Sequence, residues 1–362
     1  MQLNSIHILN YKNIAEATLE FSDDINCFIG DNGMGKTNLL DAIYYLSFCK
    51  SFSNAIDSQN IMHEAEFFMI QGKYLVNNTH EELYCGMKRK QKKIITRNKL
   101  AYERLSDHIG LLPLVLISPD DQILISEGSE ERRKFIDAAI SQYNNQYLQQ
   151  LLQYNQALKQ RNALLKLDTH PDPTLFDLWE EQMLELGEKI HRQRKLFLAD
   201  FIPMFDEVYA QTTGGHEEIQ LLYRSQFDSP EVAKHMHESR FKDKILGFST
   251  VGTHKDDLEM LLNNYPIKRI GSQGQNKSFL VALKLAQHIF LTRQHNSPPL
   301  LLLDDIFDKL DAKRVEKIIR FVSSENFGQI FITDTNREHL DTILLQFNKN
   351  TRIFTVSNGI FA

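Results

Sequence analysis

Gly30-Asp31-Asn32-Gly33-Met34-Gly35-Lys36-Thr37 is a complete G-x-x-x-x-G-K-T phosphate-binding loop. A backbone that wraps a triphosphate needs positive φ angles and no Cβ in the way, and glycine supplies both at low cost. In such a loop the amides and the following helix N-terminus point at the β-phosphate. Lys36 reaches the β- and γ-oxygens, and the Thr37 hydroxyl ligates magnesium. Far downstream, Pro298-Pro299-Leu300-Leu301-Leu302-Leu303-Asp304-Asp305 reads as an apolar strand ending in two acids. Asp304 is placed to hold magnesium through a water, and Asp305 to orient or deprotonate the attacking water. Asp308-Lys309-Leu310-Asp311 follows shortly after. Between these clusters, Gly271-Ser272-Gln273-Gly274-Gln275-Asn276-Lys277-Ser278 opens a long apolar helix through Phe279, Leu280, Leu283, Leu285 and Ile289. A serine cap with glycine beside it leaves exposed amides and a helix dipole, so the helix start is either a second anion site or a plain N-cap.

These residues need particular elements to carry them. Residues 24–29 form a short apolar strand into the loop, and residues 38–46 a helix out of it. Up to about residue 100 short runs alternate apolar and polar residues (Ile6-His7-Ile8-Leu9, Ala17 to Phe21, Phe67 to Ile70 with Tyr74 and Leu75, Leu83 to Met87, Lys93 to Thr96), which fits antiparallel strands with one wet face. Leu111 to Ile117 reads as a buried strand that Pro119 ends, and it looks like a boundary. From Glu130 the apolar residues Ile136, Ile140, Tyr143, Tyr147, Leu151, Tyr154, Leu158 and Leu165 recur at helical steps, and a breaker at residues 168–173 stops that helix. Thr174 is expected to cap a second helix, with Leu175, Leu178, Trp179, Met183, Leu186 and Ile190 on one face, ending before Pro203. Two antiparallel helices of roughly 30 residues predict an arm on the order of 45 Å long. Gly214-Gly215 ends it, residues 219–223 read as a strand, and one polar helix is expected from Glu231 to Leu246.

At 362 residues, with 42% hydrophobic and 24% charged residues, the chain has the composition of an ordinary soluble globular protein. The N-terminus carries no signal pattern and no stretch approaches a membrane span, so a cytoplasmic protein without membrane partner is expected. Cys27, Cys49 and Cys85 have no metal or disulfide spacing. With a net charge of −6, any nucleic-acid contact must come from a local basic patch. One such patch is Lys88-Arg89-Lys90-Gln91-Lys92-Lys93, either a solvated hairpin end or a phosphate-backbone contact. Arg132, Arg133 and Lys134 admit two readings equally, DNA contact or ion pairing within the arm. His254 and Lys255 face nucleotide or DNA, or sit on a surface turn.

Ahead of the acidic strand, Ser272-Gln273-Gly274-Gln275 resembles the signature motif of ATP-binding-cassette ATPases, in which each nucleotide is sandwiched between the loop of one subunit and the signature of another. That resemblance implies an α/β fold: an ABC-type ATPase head, with a mixed sheet carrying the loop and an antiparallel β subdomain. It places the head in residues 1–110 and 248–362 and an inserted helical arm domain in 111–247. It also implies a homodimer that forms on ATP.

Over its whole length the chain resembles the RecF family of bacterial recombination mediators. The matching stretches are Asn10-Tyr11-Lys12-Asn13, the loop with Asn38 and the helix to Leu46, Ser118-Pro119-Asp120-Asp121, Arg132-Arg133-Lys134-Phe135-Ile136-Asp137, Gln160-Arg161-Asn162, His254-Lys255-Asp256-Asp257-Leu258, Ser272 to Gln275 and the acidic strand. The resemblance implies that Lys12, Asn13, Asn38, Ser272, Gly274 and Gln275 join the loop as nucleotide-binding residues, with Lys36, Asp304 and Asp305 catalytic and Thr37 and Asp304 holding Mg2+. It further implies a DNA-binding ATPase of recombinational repair and replication restart. Such a protein binds single-stranded, double-stranded and gapped DNA, hydrolyses ATP slowly, and works with RecR and RecO to load RecA. Three positions depart from the wider cassette pattern. Asp305 stands where a glutamate is usual, Gln122 is the one candidate for the magnesium-sensing glutamine, and Asp334 falls at the place of the switch histidine. Slow hydrolysis is the expected consequence. Competing readings are a DNA-bridging ATPase of the structural-maintenance type, which the short arm disfavours, and a small-molecule phosphotransferase, which has no use for the signature. Transporter energisation lacks a coupling segment.

Overall fold

The computed structural model describes residues 1–167, 172–215, 217–306, 312–324, 327–335 and 350–362. Asp308-Lys309-Leu310-Asp311 lies outside the described residues. In chain order, β1 (Gln2–Tyr11) and β2 (Ile14–Glu20) form a hairpin, and β3 (Ile25–Ile29) leads through the phosphate loop into α1 (Lys36–Phe48). Then come β4 (Phe67–Val76), β5 (Thr79–Lys88), β6 (Ile94–Arg97), β7 (Leu100–Ala101) and β8 (Leu114–Ile117). The helical part comprises α2 (Ile123–Ser126), α3 (Ser129–Ser141), α4 (Asn145–Leu165), α5 (Pro173–Thr213), β9 (Ile219–Arg224), α6 (Val232–Glu238), α7 (Arg240–Leu246), β10 (Asp257–Leu262), β11 (Tyr265–Pro266) and α8 (Ile267–Ile270). The chain finishes with α9 (Gln273–His295), β12 (Leu300–Asp304), α10 (Ala312–Ser324), β13 (Ile330–Asp334), β14 (Thr351–Ser357) and β15 (Ile360–Phe361).

The described residues divide into two compact units. One comprises 1–121, 207–215 and 273–362, and the other 122–206 and 216–272. In the first, an antiparallel sheet in the order β2-β1-β4-β5-β6-β7 faces a second sheet in the order β15-β14-β3-β13-β12-β8, parallel except for the β14–β15 hairpin. Their common core draws Ile6, Ile8, Phe68, Ile70 and Cys85 from the first sheet, Leu39 and Ile43 from α1, and Phe28, Leu302 and Phe331 from the second. Burial on both faces is why β3, β8, β12 and β13 are continuous apolar runs, while β2 and β5 alternate. Phe28 stacks on Phe354 at 5.0 Å between centroids within the second sheet, and Phe21, which follows β2, meets Phe331 of β13 edge-on at 5.0 Å, tying the first sheet to the second.

The boundary expected near residue 110 falls after Asp121, because β8 is hydrogen-bonded in parallel to β12 and so belongs to the ATPase sheet. Likewise residues 248–272 fall in the helical unit, where β10 pairs with β9.

In that second unit the long first helix of the sequence reading is two. Asn144 at φ −131° leaves the helical region, and its side chain accepts from the Tyr147 N–H, restarting the helix as α4. Helix α5 starts one residue before Thr174, with Pro173 in the first turn and the Asp172 carboxylate accepting from Thr174 N–H at 2.9 Å. It does not stop at Pro203. Phe197, Phe201 and Phe205 stack along one face through the proline, and their burial outweighs the single backbone hydrogen bond that Pro203 cannot make. The polar helix expected over residues 231–246 is broken at Ser239, whose hydroxyl takes the Met236 carbonyl at 2.8 Å.

Candidate nucleotide site

The loop follows a fully buried strand, so its start is fixed by sheet hydrogen bonding on both sides of β3. A Cβ on Gly30 would lie 2.2 Å from the Val356 carbonyl oxygen, which leaves no side chain possible there. Gly33 and Gly35 adopt φ of +80° and +110°, the left-handed conformations the motif requires. Lys36 is 4% exposed and its ammonium donates to the carbonyls of Gly30 at 2.6 Å and Asp31 at 3.0 Å. The loop is thus wound around its own lysine. Asp31, Asn32 and Gly33 form its exposed rim.

The acidic strand is hydrogen-bonded to the loop. The Thr37 hydroxyl donates to Asp304 Oδ1 at 3.0 Å, and the Thr333 hydroxyl donates to the same oxygen at 2.7 Å. Burial pushes the Asp304 carboxyl above the usual carboxylate range, and the two hydroxyls oppose that shift. Asp305 takes a left-handed φ of 44°, and its N–H donates to Thr333 Oγ1 at 3.0 Å. That bond turns the chain off β12, so Asp305 stands more open than Asp304 at the strand end. Thr333 was not singled out in the sequence. The signal was a polar residue closing the apolar run Ile330-Phe331-Ile332 on the strand next to β12. Asp334, in the place of the switch histidine, is 7% exposed, and its backbone carbonyl accepts from Gly30 N–H at 3.4 Å.

The β1–β2 turn supplies two more of the expected residues. Lys12, at φ 52°, pairs with Asp41 and donates to Ser53 Oγ at 2.6 Å. Asp41, fully buried on α1, also accepts from Tyr11 OH and Ser51 Oγ at 2.7 Å each and from Phe52 N–H at 2.8 Å. It was not singled out in the sequence, although it is an acid inside an apolar helical run. Asn13 donates to the Gly33 carbonyl at 3.1 Å and accepts from Asn38 at 2.7 Å.

At the signature, Ser272 and Gln273 are exposed and Gly274 and Gln275 half-buried at the start of α9. Ser278 Oγ donates to the Gly274 carbonyl at 2.9 Å and accepts from Arg314 at 2.8 Å, so α10 braces the first turn of the helix. Arg314 was not foreseen.

Of the basic residues, Lys88, Lys90 and Lys92 are exposed at the β5–β6 hairpin. Their neighbours are engaged within the fold. Arg89 donates to the Ala65 carbonyl at 2.9 Å, and Lys93 pairs with Asp57 at 2.8 Å over the Tyr45 ring. In the second unit Arg132 forks onto both oxygens of Asp257 at 2.7 and 3.0 Å, and Arg133 donates to Ser129 Oγ and the Asp256 carbonyl at 2.7 Å each. His254 is held between Tyr154 OH at 2.8 Å and the Ser249 carbonyl at 3.0 Å.

A phosphate loop whose threonine touches an acid at the end of the strand next but one to β3, with β13 between them, is the geometry of a nucleotide-binding head. The profile of the RecF/RecN/SMC N-terminal domain matches residues 2–362. The chain is 56% identical over 360 residues to the DNA replication and repair protein RecF of Bacteroides fragilis, covering 99% of this chain and 97% of that protein. The chain belongs to the RecF family. The RecF of Flavobacterium johnsoniae is 47% identical over 359 residues, covering 98% of this chain and 100% of that one. Among solved structures, the recombination mediator protein RecF with ATP in the RecFOR pathway superposes with a TM-score of 0.89 at 28% identity, covering 100% of this chain and 97% of that one. An SMC head bound to the C-terminal winged-helix domain of ScpA shares the fold alone, with a TM-score of 0.58 at 15% identity, covering 100% and 96%. The fold is therefore an α/β ABC-type ATPase head carrying a helical insertion, and the chain is a RecF-type DNA replication and repair protein. No helix among the described residues is long and apolar enough to cross a membrane.

Proposed function

We propose that this chain is an ATP-switched DNA clamp of recombinational repair, and the 3.0 Å bond between Thr37 and Asp304 is the observation that carries the reading. It joins the loop that holds phosphates to the acid that holds their metal. A hydroxyl and a buried carboxylate form an all-oxygen donor set, which suits Mg2+ when it arrives with nucleotide phosphates. The metal, when bound, neutralises charge on the β- and γ-oxygens. Lys36 leaves the Gly30 and Asp31 carbonyls for the phosphates, and Asp305 orients the attacking water. An aspartate reaches less far than the usual glutamate, so turnover is slow and hydrolysis acts as a timer. The exposed signature at Ser272, Gly274 and Gln275 receives the nucleotide of a second copy, giving a homodimer that exists only with ATP.

The dimer holds single-stranded, double-stranded or gapped DNA and passes it to RecR and RecO for RecA loading. This follows the RecFOR context of the solved relative. Lys88, Lys90 and Lys92 are the DNA contacts this reading favours, because their charge is exposed and Arg132 and Arg133 are occupied by carboxylates and carbonyls. Lys36→Ala tests the core of the proposal. Light scattering with and without ATP should show dimers for the wild type and only monomers for the variant. ATP-dependent dimers in the variant would remove the nucleotide sandwich from the account.

A further inference from the structure

The phosphate loop is soft by composition, since Gly33 and Gly35 accept either sign of φ and their peptide planes turn at little cost. Two hairpin turns, one from each end of the chain, hold it. At the β1–β2 turn, Asn13 Nδ2 donates to the Gly33 carbonyl at 3.1 Å, and its Oδ1 is fixed by Asn38 at 2.7 Å. At the β14–β15 turn, Gly359 N–H donates to the Met34 carbonyl at 2.8 Å, and Asn358 N–H reaches Met34 Sδ at 3.3 Å. The turns also meet each other. A Cβ on Gly359, which has φ +75°, would lie 2.4 Å from the Asn13 carbonyl oxygen, and one on Gly35 would lie 2.9 Å from Asn13 Oδ1.

The direction of these bonds matters. In a planar trans peptide the C=O of one residue and the N–H of the next point opposite ways. Drawing the Gly33 and Met34 carbonyls outward to the two turns therefore directs the N–H groups of Met34 and Gly35 to the inner side of the loop. There Met34 N–H lies 3.4 Å from the Asp31 carbonyl. Successive inward N–H groups make the concavity that binds an anion.

We propose that Asn13 and the β14–β15 turn at Asn358-Gly359 are positioning residues for the nucleotide phosphates, fixing the peptide planes 33–34 and 34–35 with their N–H groups inward. The inference rests on the nucleotide reading above and deepens it. Asn13 acts through the loop rather than by touching the nucleotide, and the last strands of the chain become part of the site. Gly359 is then constrained twice, by its φ and by the carbonyl it approaches.

The test uses the full chain, a fluorescent ATP analogue with magnesium, and steady-state ATP hydrolysis. Asn13→Ala removes one loop bond and should weaken ATP binding about fivefold. Gly359→Ala pushes the turn off the loop and should weaken it about tenfold. Because the lost contacts serve ground state and transition state alike, KM should rise with kcat kept within about twofold. The melting temperature of the nucleotide-free Asn13→Ala chain should stay within about 2 °C of wild type. Wild-type affinity in both variants overturns the inference, and so does weakening that only follows a fall in nucleotide-free stability. A wild type that binds no ATP would instead overturn the proposed function itself.

Discussion

His288 on α9 is 1% exposed, donates from Nε2 to the Pro299 carbonyl at 3.1 Å and lies against Phe327. Burial pushes its ring down to about 4, and the hydrogen bonds to the backbone at Pro299 and Phe327 offset only part of that. The folded state holds the ring neutral while the unfolded chain protonates near the ordinary value of 6.5. The stability this supplies is complete above pH 6.5 and is lost as the pH falls from there towards 4, by up to about 3 kcal/mol. Melting curves between these limits should show a steep loss for wild type and a shallower one for His288→Gln. Equal slopes would contradict the assignment. The same single-residue view shows what the sequence makes legible. Gly30, Lys36, Thr37 and Asp304 are readable because their spacing is set by a ligand larger than any side chain. Thr333, Asp41 and Arg314 are not, because each acts on a residue distant in sequence, and only the parallel pairing of β12 with β13 or the packing of α1 and α10 brings them there.

Elements were predicted well where burial alone decides them and poorly where a local bond competes. The strands β3, β8 and β12 are apolar runs with no alternative. The breaks at Asn144 and Ser239 depend on single side-chain bonds to backbone, and the passage of α5 through Pro203 depends on packing that no local pattern reveals. Helices α4, α5 and α7 are joined by a buried ion network. Arg161, fully buried, donates to Glu180 at 3.0 Å, to Asp243 at 2.7 Å and to Ser249 Oγ at 2.8 Å. Its position in a matched stretch gave no hint of that role. Arg161→Ala strands the equally buried Asp243, which keeps only its bonds to Ser239 and Thr250, and should cost about 3 kcal/mol. Urea denaturation measures this directly, and a loss under about 1 kcal/mol would show that the network is not what joins these helices.

At the scale of the whole molecule, a net charge of −6 repels DNA, so any DNA contact must come from a local basic patch. The exposed lysines of the β5–β6 hairpin are few for stable attachment by one copy, and the proposed ATP-dependent dimer would double them. If these residues supply the phosphate contacts, reversing them to glutamate should weaken DNA binding and flatten its salt dependence while ATP affinity stays the same. Retained binding with an unchanged salt slope would move the DNA surface elsewhere. The most direct test of the account is binding to a gapped duplex at one stated salt concentration, by wild type and by Ser272→Arg, with ATP and without nucleotide. In the proposed dimer the arginine would leave the loop of its own chain intact and block the partner's approach. The account predicts tight binding only for wild type with ATP, with Ser272→Arg still binding ATP as a monomer. Binding that needs neither ATP nor Ser272 would contradict it.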